Sequence, residues 1–239
     1  MALIVARDLS FVREIKDPAY SHSPLARIWR NQNQTVIDHV NFEIRHGDRV
    51  AVIGHNGAGK TTLLRLLAGI FKPDTGSIEI DGKVDCLLDS GFGLDPRLSG
   101  RDNAKSRAIL MGYRKGEIEK FVEFCREFSE LGNSFERNTS TYSTGMLTRL
   151  VFSMSVYSTP EILLIDEGFG TADSNFTIKA VGKIKDLYSN TSILMLASHN
   201  HHLLLDVCNR GIVLSNGNLA FDGGVEEAID FSTTQSGSL

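Results

Sequence analysis

Cysteine is scarce in this chain of 239 residues: Cys86, Cys125 and Cys208 are the only three, odd in number and far apart. Such a set builds no disulfide framework and has no metal-ligand spacing; it suits a reducing compartment. No apolar run approaches the roughly 18 residues that a membrane-spanning helix needs. Any membrane role is therefore expected to come through a separate protein. The start, Met1-Ala-Leu-Ile-Val-Ala-Arg7, has no basic segment and no long apolar stretch, so no signal peptide is expected. Positive charge is not in excess, since 25 Lys and Arg stand against 29 Asp and Glu for a net charge of −4. Nothing in that balance favours nucleic acid, and none is expected as a partner. Internal repeats are absent. What remains is an ordinary globular composition, long enough for one large domain or a domain with a subdomain.

Residues 54–62 read Gly-His-Asn-Gly-Ala-Gly-Lys-Thr-Thr. They fit the phosphate-loop pattern G-x-x-x-x-G-K-[ST], with Gly54, Gly59, Lys60 and Thr61 on the fixed positions. Glycines let backbone N–H groups turn inward and approach phosphate oxygens closely. Lys60 supplies a point charge to the outer phosphates, and the Thr61 hydroxyl is offered to Mg²⁺. His55, Asn56, Gly57, Ala58 and Thr62 complete the expected nucleotide-binding stretch. The flanks agree. Arg49–Ile53 reads as a buried strand, and Thr62–Ala68 as a helix ended by Gly69. Strand, glycine loop and helix place a positive dipole end at the phosphates.

Along the chain, Leu3–Phe11 reads as a strand and Thr35–Ile44 as another. Between them, residues 13–34 carry Pro18, Pro24 and the only tryptophan, Trp29, and read as a loop or short helix. Pro73–Gly76 is a turn before the strand Ser77–Ile80. Ser99–Met111 and Lys115–Leu131 are helical in pattern. In the second, Ile118, Phe121, Val122, Cys125, Phe128 and Leu131 form a core stripe. The basic residues between Arg97 and Lys115 read as a solvated face. Glu161–Ile165 and Ser192–Ala197 are buried strands, followed by a helix over 200–208. Arg210–Leu214 and Gly217–Phe221 read as strands, and Val225–Asp230 as a last helix. The polar tail 232–239 is expected to be disordered.

The strand Ile162–Ile165 ends in two acids, Asp166 and Glu167. Asp166 is placed to hold Mg²⁺ through the metal's water shell, and Glu167 to orient or deprotonate an attacking water. Just upstream, Tyr142-Ser-Thr-Gly-Met146 resembles the L-S-G-G-Q signature of ATP-binding cassette proteins. The order of phosphate loop, signature, paired acids and histidine is also that family's order. The resemblance covers about 35–225. It implies an α/β fold: a P-loop NTPase core with a mixed β-sheet, an antiparallel β subdomain and a helical signature subdomain. The expected division is a single cassette over 1–239, with core about 1–95 and 159–231 and the helical part about 96–158. The resemblance further implies that Ser143, Thr144 and Gly145 bind the γ-phosphate of ATP held by a second copy. It implies that His199 contacts the γ-phosphate in its own copy, and that Asp173 lies on the loop crossing the dimer interface.

Three local matches narrow the group. Leu87–Asn103 looks like the L-L-E-L-G-x-G-F-x-P-E-L-T-G-R-E-N stretch of cell-surface polysaccharide exporters. Tyr142–Met146 resembles their Y-S-S-G-M, and Gly168–Phe176 their V-L-A-V-G-D-x-x-F. The usual loop Gln is missing, with Ser90 at its position and Asp89 before it. Either Phe11 or Trp29 is the candidate for stacking on adenine. The resemblance implies an ATPase with ATP and Mg²⁺ that forms a homodimer and pairs with integral membrane permease subunits. Its place would be the cytoplasmic face of a bacterial inner membrane. The cargo would be a lipid-linked polysaccharide, with O-antigen first and capsule or teichoic acid as alternatives. Another cargo, such as a lipid or drug, and a soluble non-transport ATPase are the remaining alternatives. With the chain ending at Leu239, no carbohydrate-reading extension is expected.

Overall fold

The chain divides into two units, Met1–Gly82 with Met195–Leu239, and Lys83–Leu194. The computed structural model describes residues 1–15, 32–87, 94–166, 176, 182–183 and 186–236. In the first unit, strand β1 (Leu3–Ile15) pairs antiparallel with β2 (Gln32–Arg45) and with β4 (Thr75–Asp81). Ile37, Val40, Phe42 and Ile44 are buried, while Asn41, Glu43 and Arg45 are exposed. That alternation slips by one residue between Ile37 and Val40, and likewise between Ala6 and Leu9 in β1. The cause is a pair of bulges: Asp8 (φ 51°) and His39 (φ 48°) both adopt left-handed backbone, and the ladder shifts register beside them. His39 Nδ1 and Asp8 Oδ1 are 2.6 Å apart across the two strands.

The expected loop or short helix over 13–34 is corrected at its ends. Arg13 pairs with Gln34 and Glu14 with Asn33, so both strands run further than their apolar residues do. Ladder hydrogen bonds need no apolar side chain, which is why periodicity missed this extension. The rest of that segment, Trp29 included, lies outside the described residues.

Also in this unit, β3 (Arg49–Ile53) pairs parallel with β8 (Arg210–Ser215), and β8 pairs antiparallel with β9 (Asn218–Gly224). Gly217 belongs to the turn, not to the strand in which the sequence reading places it. Asn216 (φ 49°) and Gly217 (φ 82°) are both left-handed, as a tight two-residue hairpin requires. Helix α1 (Lys60–Leu67) buries Leu63, Leu64, Leu66 and Leu67. Strand β7 (Ile193–Ala197) is buried throughout and runs through the division between the units. Helix α5 (His201–Val207) follows it.

The final helix α6 (Val225–Ser236) continues past 232, where a disordered tail is expected. Phe231 stacks on Phe221 at 5.3 Å. The hydroxyls of Ser232, Thr233 and Thr234 donate to carbonyls one turn back. A polar tail thus satisfies its own helix end.

The second unit holds β5 (Val84–Leu87) parallel to β6 (Ile162–Ile165). It also holds helices α2 (Gly100–Leu110), α3 (Lys115–Ser129) and α4 (Thr144–Ser155), with two short 3-10 turns, Gly132–Glu136 and Thr139–Thr141. Phe121, Val122, Cys125, Phe135, Leu150 and Met154 pack between the helices. Sequence pattern does not reveal β5, because a buried acid interrupts it. Asp85 faces Arg107 at 3.7 Å and accepts from Ser158 Oγ at 3.3 Å. Burial pushes its carboxyl pKa up, against the pull of Arg107. Burial likewise pushes the Cys86 thiol to about 11 and those of Cys125 and Cys208 to about 12, so none is a nucleophile near neutrality.

Phe231→Ala is expected to lower stability by about 1–2 kcal/mol in urea unfolding, because a half-buried ring and its stack are lost. Unchanged stability would show that the stack on Phe221 does not hold the end of α6. The Asp8 carboxylate, with Asp38 behind it, raises the His39 pKa. The stabilisation this gives is complete below about 6.5, the unfolded value, and is lost as pH rises through the higher folded value. His39→Gln should flatten that slope in thermal melts between pH 6 and 8, and an unchanged slope would remove the pair from the hairpin's stability.

Candidate functional site

The loop after β3 turns on glycines because neighbouring backbone leaves no space for side chains. A Cβ at Gly54 would lie 2.5 Å from Leu214 O, and one at Gly59 would lie 2.8 Å from Val36 O. Gly59 also adopts φ 106° at the N-cap of α1, a region that disfavours every L side chain. The loop closes on itself through Ala58 N–H, which donates to His55 O at 3.1 Å. The Lys60 side chain curls back over it. Its ammonium donates to Gly54 O at 2.7 Å and to His55 O at 3.3 Å, and the residue is only 8% exposed.

Helix α1 has no side-chain cap hydrogen bond and no acid in its first turn. The helix dipole adds positive potential at that start. This arrangement fits a phosphate chain: a glycine loop at a helix N-terminus, a lysine charge and no competing carboxylate in the first turn. Thr61 and Thr62 are half-buried at the start of α1, with the Thr61 hydroxyl in the sequence position expected for Mg²⁺.

Strand β7 delivers the other member. His199 follows it directly, and its Nε2 lies 3.1 Å from Asn56 Oδ1 in the loop. Asn200 then caps α5 by accepting from Leu203 N–H at 3.2 Å, which fixes the backbone beside the histidine. The structure thus brings His199 and the phosphate loop together within the first unit, a pairing of residues 143 positions apart. His201 and His202 sit on α5 itself. Of the adenine candidates, Phe11 stacks face to face on Phe71 at 5.2 Å, while Trp29 lies outside the described residues.

In the second unit, Asp166 stands at the end of the fully buried β6, 8% exposed, with its N–H donating to Leu87 O at 2.9 Å. Ser143 is the N-cap of α4 and accepts from Met146 N–H at 3.3 Å. Ser143, Thr144 and Gly145 are exposed, and no acid stands in the first turn. A Cβ at Gly145 would meet nothing closer than Ser143 Oγ at 3.9 Å. The fold itself places no demand for glycine there, unlike at Gly54. Glu167 and Asp173 lie outside the described residues, as do Asp89 and Ser90. Sequence reasoning passed over Asn103, whose side chain binds the segment before Ser143; the only signal is an amide at a buried helix position.

Gly54→Ala should destabilise the chain by about 2–4 kcal/mol, because backbone oxygen blocks the new methyl and cannot yield like a flexible side chain. Gly145→Ala should shift stability by less than about 0.5 kcal/mol. Thermal melts of the two variants check the contrast, and equal losses would contradict this account of the two glycines.

The family described as ABC transporter matches residues 37–170. The O-antigen export system ATP-binding protein RfbE of Yersinia enterocolitica is 41% identical over 183 residues, 77% of this chain and 77% of that protein. The teichoic acids export ATP-binding protein TagH of Lactococcus lactis is 37% identical over 190 residues, 80% of this chain and 41% of that protein. Among solved structures, the ATP-binding cassette MJ0796 bound to ADP and Pi superposes with a TM-score of 0.72 at 19% identity, covering 93% of this chain and 98% of that one. That likeness shows the fold, and the sequence matches show more: this chain belongs to the ABC transporter family.

Proposed function

We propose that this chain is the ATP-hydrolysing subunit of an exporter that moves lipid-linked cell-surface polysaccharide, with O-antigen as the cargo. The observation that carries the ATPase reading is the loop 54–59 at the start of α1, closed over by Lys60 and held to His199 through Asn56. The cargo assignment rests on the O-antigen relative and on the polysaccharide-exporter stretches at Leu87–Asn103 and Tyr142–Met146. Teichoic acid chains are the second reading, favoured by the TagH relative.

In this reading the backbone amides of Gly54–Thr62 wrap the β- and γ-phosphates, and Lys60 moves its charge from the loop carbonyls to the outer phosphate oxygens. Thr61 and Asp166 are the residues assigned to Mg²⁺. When bound, that ion neutralises the charge on the β- and γ-phosphate oxygens. Glu167 orients a water and takes its proton as the water oxygen attacks the γ-phosphorus. The bond to the bridging oxygen breaks and ADP and phosphate leave. His199 senses the γ-phosphate. Ser143, Thr144 and Gly145 of a second copy close on the same phosphate with the amides at the start of α4, and Asp173 lies at that interface. Thr144 stands where the signature of the family has its first glycine, and its N–H is retained. The exposure of 143–145 leaves them available to a second copy.

ATP drives closure only because it binds the closed pair better than the open one. Hydrolysis then resets the pair, and the membrane permease subunits move the cargo. Among the described residues no helix is long and apolar enough to cross a membrane. Attachment to the cytoplasmic face of the inner membrane therefore falls to the permease.

Glu167→Gln is expected to bind ATP and form a stable dimer, with kcat reduced by about a hundredfold or more. Cells lacking the chain should trap polymer on its cytoplasmic lipid carrier, and wild type but not Glu167→Gln should restore it to the surface. Normal surface polysaccharide in those cells would end the cargo assignment and leave the ATPase reading standing.

A further inference from the structure

Immediately before the exposed signature residues, the chain is fastened to the start of α2 by a buried amide. Asn103, 3% exposed, lies within α2. Its Oδ1 accepts from Asp95 N–H at 2.8 Å. Its Nδ2 donates to Asp95 O and Ser99 O at 3.0 Å, and lies 3.3 Å from Leu98 O and 3.4 Å from Thr139 Oγ1. Thr139, 2% exposed, donates its own hydroxyl to Asp95 O at 3.1 Å. Around this knot the backbones join directly. Thr139 N–H donates to Leu98 O at 2.9 Å, Ser140 N–H to Pro96 O at 3.0 Å and Gly100 N–H to Arg137 O at 3.3 Å. Tyr142 closes the other side: its hydroxyl donates to Ser134 O at 2.7 Å, and a Cβ at Gly100 would lie 2.6 Å from it. Residues 95–100 and 137–142 are thus one hydrogen-bonded body, and Ser143 is the next residue.

We propose that Asn103, through Thr139, is a positioning residue of the ATPase: it sets the attitude at which Ser143, Thr144 and Gly145 meet the nucleotide of a second copy. This rests on the two-copy reading given above. A buried amide with so many acceptors costs more to disturb than an apolar residue, because its partners are left unpaired. Apolar packing of α2, α3 and α4 would hold the helices together without it. What packing does not set is the height of the short 139–141 turn, and a phosphate contact is sensitive to shifts of about 1 Å.

The test uses the full chain with three substitutions. Asn103→Asp keeps the shape and the acceptor for Asp95 N–H but removes the amide donors. Thr139→Val removes the hydroxyl at equal size, and Thr139→Ser retains it. Asn103→Asp and Thr139→Val are expected to lower kcat about tenfold or more while ATP binding to the single copy stays within about twofold, since only the trans contact is misplaced. Thr139→Ser should keep most of kcat, and the Thr139 pair stands even if Asn103→Asp does not fold. In the Glu167→Gln background, Asn103→Asp should weaken the ATP-driven dimer by a similar factor. Unchanged kcat, or ATP binding that falls in step with kcat, would overturn the positioning role. If Glu167→Gln binds ATP but never dimerises, the two-copy reading fails and this role falls with it. If that dimer forms and Asn103→Asp leaves it intact, only the positioning role falls.

Discussion

Carbonyl oxygens from two distant strands press on the loop after β3: Leu214 O from β8 at Gly54, and Val36 O from β2 at Gly59. The same Val36 carbonyl crowds Gly217, in the hairpin turn after β8, and Asp38 N–H donates to Gly217 O at 2.9 Å. Three segments far apart in the chain therefore meet within van der Waals distance of one another's backbone. That crowding makes glycine obligatory at these positions and places the start of α1, whose buried Lys60 ammonium donates to loop carbonyls. It also gives the bulged β1–β2 hairpin a mechanical purpose, since Val36 and Ile37 stand next to the bulge at His39.

The second unit is built on a different principle. Its helices are held by rings, with Phe121 against Tyr157 at 5.0 Å and against Tyr113 at 5.6 Å. Within that apolar packing, Asn103 and Tyr142 place hydrogen bonds that apolar contact cannot specify. The result is a fixed stem below an exposed tip. Gly145 meets nothing in its own fold, whereas Gly54 is hemmed in. One glycine answers to the chain's own packing and the other is open to something outside it.

The phosphate loop, the strands on either side of it and the helices α1, α2 and α3 were legible because short-range chemistry specifies them. Glycine spacing and apolar period point the same way, while Ser99, read there as helical, proves to be the N-cap of α2. Strand β5 was not legible, because Asp85 lies buried within it, where it accepts from Cys86 N–H and meets Arg107 and Ser158 from elsewhere in the chain. The ends of β1 and β2 were missed for the converse reason: polar residues can pair through backbone alone. The length of α6 depended on Phe221, contributed by a neighbouring strand.

The sequence by itself determined the chemistry available: a glycine loop with Lys60 and Thr61, acids after a strand, a serine at a helix start and a histidine after a strand. Each is a local pattern whose spacing survives without neighbours. Only the tertiary structure decided which of these groups meet. His199 reaches Asn56, and Asn103 reaches Thr139, because strands and helices distant in sequence carry them to the same place. Contacts of that kind depend on how whole elements pack, and no local period encodes it.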